Sequence, residues 1–315
     1  MTEVTYAAPG KVILAGEHAV VYGKPALLSA IGSYCYVTVA SGSPDKPVPD
    51  YIETVAGIVE SYLNAQESGF RAKPFRISVT LDFPMGRGLG SSAAFAVAAV
   101  AALLHFHTGT EPAKETINTL AYQAEKKFHG KPSGADNTAC CYGGLIYYRK
   151  EFEFLKTISA LNAKLPRVFE EKLLLIDTGK PVETTAEMVQ NVAEAYNRNS
   201  ATTETIMSAI EKLTKRTVVS VVTENLNLFT RCLHDTQEEL QRLGIVSEKT
   251  ANLISEFAEF GTGKVTGAGG LREGSGYILF LAKDRSALEK ELTRRGIPFI
   301  PFTQDFHGVH CIKPV

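Results

Sequence analysis

The sequence has no surplus of either charge. Across 315 residues, 33 Lys and Arg stand against 34 Asp and Glu, a formal net charge of −1. General nucleic-acid binders and polybasic membrane-surface proteins both carry a basic excess, so neither class is expected. Long apolar runs are missing as well. The longest covers residues 93–104, short of the roughly 18–20 residues that span a bilayer. The N-terminal segment has no basic stretch followed by an apolar one, so no signal peptide is expected. The five cysteines, Cys35, Cys140, Cys141, Cys232 and Cys311, are odd in number and lack C-x-x-C spacing. That supports neither a disulfide framework nor a zinc site, and reads as reduced thiols in a cytosolic protein. Internal repeats and low-complexity tracts are absent too.

What is present is an apolar fraction of 44%, enough to build a core in one large domain or two moderate ones. Residues 12–14 and 34–39 read as short strands, and the Pro- and Ser-rich residues 41–49 as a surface loop. Phe75, Ile77, Val79 and Leu81 alternate as in a half-buried strand. An Ala-rich helix over 92–107 is apolar nearly all round, which implies burial on most sides. Ile117, Leu120, Ala121, Ala124 and Phe128 make one stripe of an amphipathic helix over 116–129. A buried strand at 173–176 enters the turn Asp177-Thr178-Gly179, and residues 184–260 read as several helices in succession. A strand over 276–282 and a helix over 284–295 follow, the helix capped by Asp284 and stopped by Gly296. The class is α+β rather than regular βαβ alternation. A soft boundary near 165 divides an N-terminal domain, 1–165, from a C-terminal one, 166–315.

The most informative segment is Pro84-Met85-Gly86-Arg87-Gly88-Leu89-Gly90-Ser91-Ser92-Ala93-Ala94. Three glycines in five residues lie between a strand and a helix. Glycine permits positive φ and close backbone approach by a ligand. The following helix N-terminus offers unpaired N–H groups and a dipole that favours an anion. Ser91 and Ser92 add hydroxyls, as donors or as a Mg²⁺ ligand. The segment therefore reads as a phosphate cradle built from Gly86 to Ser92. It is neither a Walker A loop nor a Rossmann fingerprint, because it lacks the Gly-Lys-Ser/Thr ending and the G-x-G-x-x-G spacing. Taken by itself, it also fits a helix-capping turn with incidental glycines.

Two further segments make the chain recognisable. Pro9-Gly10-Lys11-Val12-Ile13-Leu14-Ala15-Gly16-Glu17-His18-Ala19-Val20-Val21-Tyr22-Gly23 resembles the first motif of the GHMP kinases. The glycine loop is similar to their second, and Lys264-Val265-Thr266-Gly267-Ala268-Gly269-Gly270 to their third. Within that superfamily, Gly16 to Gly23 and His129-Gly130-Lys131-Pro132-Ser133-Gly134-Ala135-Asp136-Asn137 are most similar to the mevalonate kinase branch, as is the stretch from Gln237 to Gly244. The resemblance implies a two-domain GHMP kinase architecture, with the active site between an ATP-binding N-terminal domain and a C-terminal one. It implies ATP and Mg²⁺ as cofactors, mevalonate as the small-molecule substrate, and a homodimer as the assembly.

The resemblance also assigns roles. Asp136 takes the proton of the reacting hydroxyl, which a carboxylate beside the nucleophilic oxygen can do. On its residues alone, Asp136 also reads as an Asx-turn aspartate in a Pro-Ser-Gly-x-Asp-Asn turn. Lys11 lies near Asp136 by resemblance and stabilises charge during transfer; otherwise it is a strand-edge lysine. Glu125 falls about 80° from the centre of the apolar stripe of its helix, at about 100° per residue. There a carboxylate can point into a cleft, and the resemblance makes it a Mg²⁺ ligand together with Ser92, a donor set suited to a hard cation. A solvated glutamate paired with a lysine is the plainer reading of that position. Glu17 and His18 belong to the substrate site by resemblance, with His18 donating to the carboxylate or a hydroxyl of the acid. Gly267 and Ala268 of the third motif join them. Thr185 matches a family threonine near the substrate and equally well serves as a helix N-cap.

The third motif departs from the family pattern. Gly269-Gly270 is followed by Leu271-Arg272-Glu273 before Gly274-Ser275-Gly276, so its turn is longer or differently shaped, with Arg272 read as solvated. Two other functions fit parts of the pattern: another GHMP small-molecule kinase, acting on phosphomevalonate, a sugar or homoserine, and a kinase-like sensor without turnover. A nearly neutral protein cannot gather anionic ligands with a broad positive field. The attraction has to be local, from the loop, a helix N-terminus, Lys11 and a bound cation.

Overall fold

The strand expected at residues 12–14 is part of a far longer one. The structure, a computed structural model, describes residues 3–44, 47–67, 69–130, 132–152, 155–161 and 163–313. Residues 45–46 of the expected surface loop, Lys131 of the 129–137 segment and residue 162 beside the expected boundary lie outside the described residues. The chain opens with β1 (Glu3–Ala15), a 3₁₀ turn at Ala19–Tyr22 and β2 (Ala26–Ser41). Next come α1 (Asp50–Gln66), β3 (Phe75–Leu81), α2 (Ser91–Thr108), α3 (Lys114–His129) and α4 (Ala135–Tyr142). The hairpin of β4 (Leu145–Phe152) and β5 (Leu155–Leu161) closes the first half. The second half runs α5 (Arg167–Glu170), β6 (Leu173–Asp177), α6 (Thr185–Arg198), α7 (Ser200–Val222), α8 (Leu226–Arg242) and α9 (Glu248–Glu256). It ends with β7 (Gly261–Val265), β8 (Tyr277–Ala282), α10 (Arg285–Arg294), β9 (Phe299–Pro301) and β10 (His310–Lys313).

Two sheets result. The first has the order β10-β1-β2-β4-β5, with β3 also on β2. β2 is long enough to pair β4 through Ala26–Ser29 and β3 through Cys35–Ser41. The second sheet has the order β7-β8-β6-β9. β10 returns across the boundary expected near 165 and pairs with β1 antiparallel, so the chain's end is stitched into the first sheet.

The Ala-rich helix behaves as its sequence implies. α2 packs on β1 and β2 and against α1, α3 and α4. By length and composition it could cross a membrane, but 89% of its 18 residues are buried inside the protein, so it is the core helix. Small alanines let the sheet and three helices approach one backbone closely. α3 buries Ile117, Leu120, Ala121 and Ala124 and, on the shoulder of the same face, Glu125. The expected helix at 284–295 is α10, with Asp284 accepting from the Ala287 N–H at 3.1 Å. All five cysteines are free, and four of them are buried.

Candidate active site

The Pro9-Gly10 pair is where the site begins. Proline brings no N–H to the ladder, and the register of β1 on β2 shifts between Pro9 and Gly10. The Lys11 N–H then donates to Leu89 O at 2.9 Å, which ties β1 to the glycine loop. The Lys11 side chain runs beneath that loop. Its Nζ donates to Gly88 O at 3.3 Å and sits 3.1 Å from Asp136 Oδ2. Two glycines make this possible. A Cβ on Gly90, whose φ is +74°, would lie 2.9 Å from Lys11 Cγ, and one on Gly88 would lie 2.5 Å from Thr266 O.

A cavity of about 650 Å³ opens at this point, in the range of small-molecule sites. Lys11, Gly86, Gly88, Gly90, Ser91, Ser92, Glu125, Asp136, His18, Thr185, Gly267 and Ala268 all line it. Ser92 and Glu125 meet as expected: Ser92 Oγ donates to Glu125 Oε1 at 2.7 Å. His129 Nε2 is 3.1 Å from Ser92 Oγ and 3.7 Å from Glu125 Oε2. Burial pushes the Glu125 carboxyl up to about 7 and lowers the basicity of His129. A buried carboxylate and a hydroxyl at the start of α2, with no lysine or arginine bonded to that carboxylate among the described residues, form an oxygen donor set that fits a hard cation.

Several sequence expectations are corrected. Asp136 is not in an isolated turn; it stands in the first turn of α4, after Gly134 in the left-handed region, where the helix dipole favours a carboxylate. Arg87 and Leu89 do not line the cavity. Leu89 is 1% exposed in the core, because loop residues alternate between ligand side and interior. The Arg87 guanidinium is bonded to Asp177 at the end of β6. Ser91 closes the loop, its Oγ accepting from the Gly86 N–H at 3.1 Å. Glu17 is fully buried behind the cavity in an ion pair with Lys264 and is not placed to touch a substrate.

His18 reaches the cavity, but its Nε2–H donates to Ala268 O at 3.0 Å. Burial lowers its basicity, so the neutral ring offers Nδ1 as an acceptor instead of a donor for a carboxylate. The N-cap of α6 is Thr184, in a capping box with Glu187, which leaves Thr185 facing the cavity. Arg272 is not merely solvated. Its Nε donates to Glu183 Oε1 at 2.7 Å, and the Leu271 N–H donates to Glu183 Oε2 at 3.1 Å. The inserted turn of the third motif is thus anchored to a residue that lines the cavity.

Lys180 and Glu183 also border the cavity and escaped sequence reasoning. The signal for Lys180 is a basic residue directly after the Asp177-Thr178-Gly179 turn; Glu183 has no local signal, because its partner Arg272 is distant in the chain.

Residues 50–144 match the GHMP kinases N terminal domain family. A mevalonate kinase from Pyrococcus horikoshii is 31% identical, with 94% of this chain and 94% of that protein covered. The chain belongs to the mevalonate kinase family. Like its relatives, this mevalonate kinase family member is an ATP-dependent kinase acting on a hydroxyl group. Solved structures show the fold. L. major mevalonate kinase in complex with R-mevalonate superposes with a TM-score of 0.76 at 22% identity, covering 96% of both chains. Streptococcus pneumoniae phosphomevalonate kinase gives 0.75 at 20% identity, covering 96% of this chain and 100% of the other. The two folds match almost equally well, so the choice between substrates rests on sequence and site.

Proposed function

We propose that this chain transfers the γ-phosphoryl group of ATP to the 5-hydroxyl of mevalonate, in a Mg²⁺-dependent reaction in the cytoplasm. The observation that carries the reading is the Lys11–Asp136 pair at 3.1 Å, inside the same cavity as the glycine loop. Phosphoryl transfer needs positioning and charge neutralisation more than covalent work by the protein. Asp136 accepts the hydroxyl proton and orients the oxygen for attack. Lys11 neutralises charge at the attacking oxygen. Backbone N–H groups of the loop between Gly86 and Ser92, beyond the Gly86 N–H that Ser91 already holds, and the α2 dipole hold the phosphates. Ser92 and Glu125 would hold Mg²⁺, which supplies neutralisation of the phosphate charge. His18, Thr185, Gly267 and Ala268 border the acceptor. The ATP-binding unit is residues 1–165 joined by the returning strand β10, the second unit is the rest of 166–315, and the assembly is a homodimer, which gel filtration checks.

A coupled assay with ATP, Mg²⁺ and a panel of mevalonate, phosphomevalonate, galactose and homoserine tests the reading. Turnover is expected with mevalonate, and is lost with EDTA. Equal or better turnover of another panel member overturns the substrate, and no turnover of any overturns the activity.

A further inference from the structure

We propose that Lys180 is a phosphate-binding residue of this kinase, reaching over the first glycine of the loop to hold the phosphate end of the nucleotide. The proposal rests on the kinase reading and adds a residue to it. Lys180 follows the turn at the end of β6, is exposed and lines the cavity. Its Cε lies 3.4 Å from where a Cβ on Gly86 would stand, so the charged end of its side chain lies beside the loop.

The other cations at the loop are already engaged. Lys11 is bonded to Asp136 and Gly88 O. Arg87, the loop's own cation, is bonded to Asp177 and does not line the cavity. Lys180 has no carboxylate partner among the described residues, and the nearby Glu183 is held by Arg272 and the Leu271 N–H. An uncompensated lysine over a glycine loop is a flexible point-charge donor matched to phosphate oxygens. The acceptor's carboxylate is the other anion in the reaction. Its carrier has to place a hydroxyl at Asp136, on the Lys11 side of the loop, whereas Lys180 stands at Gly86. The geometry therefore favours phosphate.

The test compares wild type, Lys180→Met and Lys180→Arg by calorimetric titration with ATP and with AMP, and by steady-state kinetics with mevalonate. Lys180 is exposed, so the variants are expected to keep the wild-type melting temperature. The expected result is an ATP Kd raised about tenfold to a hundredfold in Lys180→Met, the range for losing a charged hydrogen bond. AMP affinity and the KM for mevalonate stay unchanged, and Lys180→Arg recovers most of the ATP affinity. An unchanged ATP Kd overturns the proposal. So does a raised mevalonate KM with normal ATP binding, which would hand Lys180 to the carboxylate. The titrations read nucleotide binding without turnover, so they separate failure of this proposal from failure of the kinase reading.

Discussion

Lys11 Nζ lies 3.1 Å from Asp136 Oδ2, although β1 and the start of α4 are far apart in sequence. The lysine side chain is 2% exposed and the aspartate 41%, so a buried cation faces a carboxylate open to the cavity. That asymmetry suits a base which has to meet a substrate hydroxyl while its counter-ion stays fixed. Asp136→Asn is expected to lower kcat by about 10²- to 10⁴-fold, the usual size of a lost acid–base contribution. Nucleotide affinity should survive, because the phosphates rest on residues 86–92. Rapid-quench turnover alongside ATP titration checks this, and a near wild-type kcat would remove Asp136 from the chemistry.

The Arg87–Asp177 pair joins the glycine loop to the second sheet. The Tyr277 N–H also donates to Arg87 O at 3.0 Å, and the Gly267 backbone packs on Gly88. The phosphate loop is thus shaped from the far half of the chain. The Asp177 side chain is 5% exposed, so Arg87→Met leaves a buried carboxylate with the Gly179 N–H as its remaining partner. We expect a loss of about 1–3 kcal/mol in stability and a raised KM for ATP. Arg87→Met with Asp177→Asn should cost less than the sum of the two single changes. Additive costs in a denaturation cycle would show the pair to be uncoupled.

The sequence made the loop, the buried helix and the shoulder position of Glu125 readable, because each depends on local period or spacing, whereas the Ser92–Glu125 meeting, 33 positions apart, is expected only from the family resemblance. α3 shows why: a stripe centred on Ile117, Leu120, Ala124 and Phe128 places Glu125 at its shoulder whatever packs against it. Glu17 was not readable in the same way. Its neighbours suggest a site residue, but its environment is set by Lys264 on β7, and no local pattern encodes that partner. Arg87 misleads for the same reason, since Asp177 lies 90 positions away. β10 could not be assigned to the first sheet from sequence, because pairing at such separation leaves no periodicity.

The buried Glu17–Lys264 pair yields a stability prediction. Both side chains are 0% exposed. Lys264 Nζ also donates to Ile13 O at 3.0 Å and Val265 O at 2.9 Å, while Glu17 Oε2 has no hydrogen-bond partner among the described residues. Burial raises the Glu17 pKa and lowers that of Lys264, each opposed by the partner's charge. Removing one member leaves an uncompensated buried charge, so Lys264→Met should cost about 3–5 kcal/mol. Glu17→Gln should cost less, because an amide still accepts from Lys264. The KM for the acceptor should be unchanged in Glu17→Gln. A large rise in that KM at normal stability would return Glu17 to the substrate site.

His107 supplies a pH dependence of folding. It lies near the end of α2 with its ring against Phe70, Phe75 and Phe106, at centroid distances of 5.5, 6.2 and 5.3 Å. The Lys73 N–H points at His107 Nδ1 from 3.4 Å, so that nitrogen is an acceptor and the ring is neutral. Burial, helped by the Lys73 cation, pushes its pKa down to about 4. The unfolded chain takes up a proton below about pH 6.5, while the folded ring does not. The unfolded state therefore binds more protons across this window, and stability falls as pH drops from about 6.5 towards 4. The slope from this residue approaches about 1.4 kcal/mol per pH unit, for a total of up to about 3 kcal/mol. His107→Phe removes the titrating ring from an aromatic cluster that can accept another one. Urea denaturation of both proteins at pH 7 and pH 4.5 measures the difference. Wild type should lose clearly more stability than the variant over that interval, and equal losses would show that His107 is not the group whose protonation drives acid unfolding.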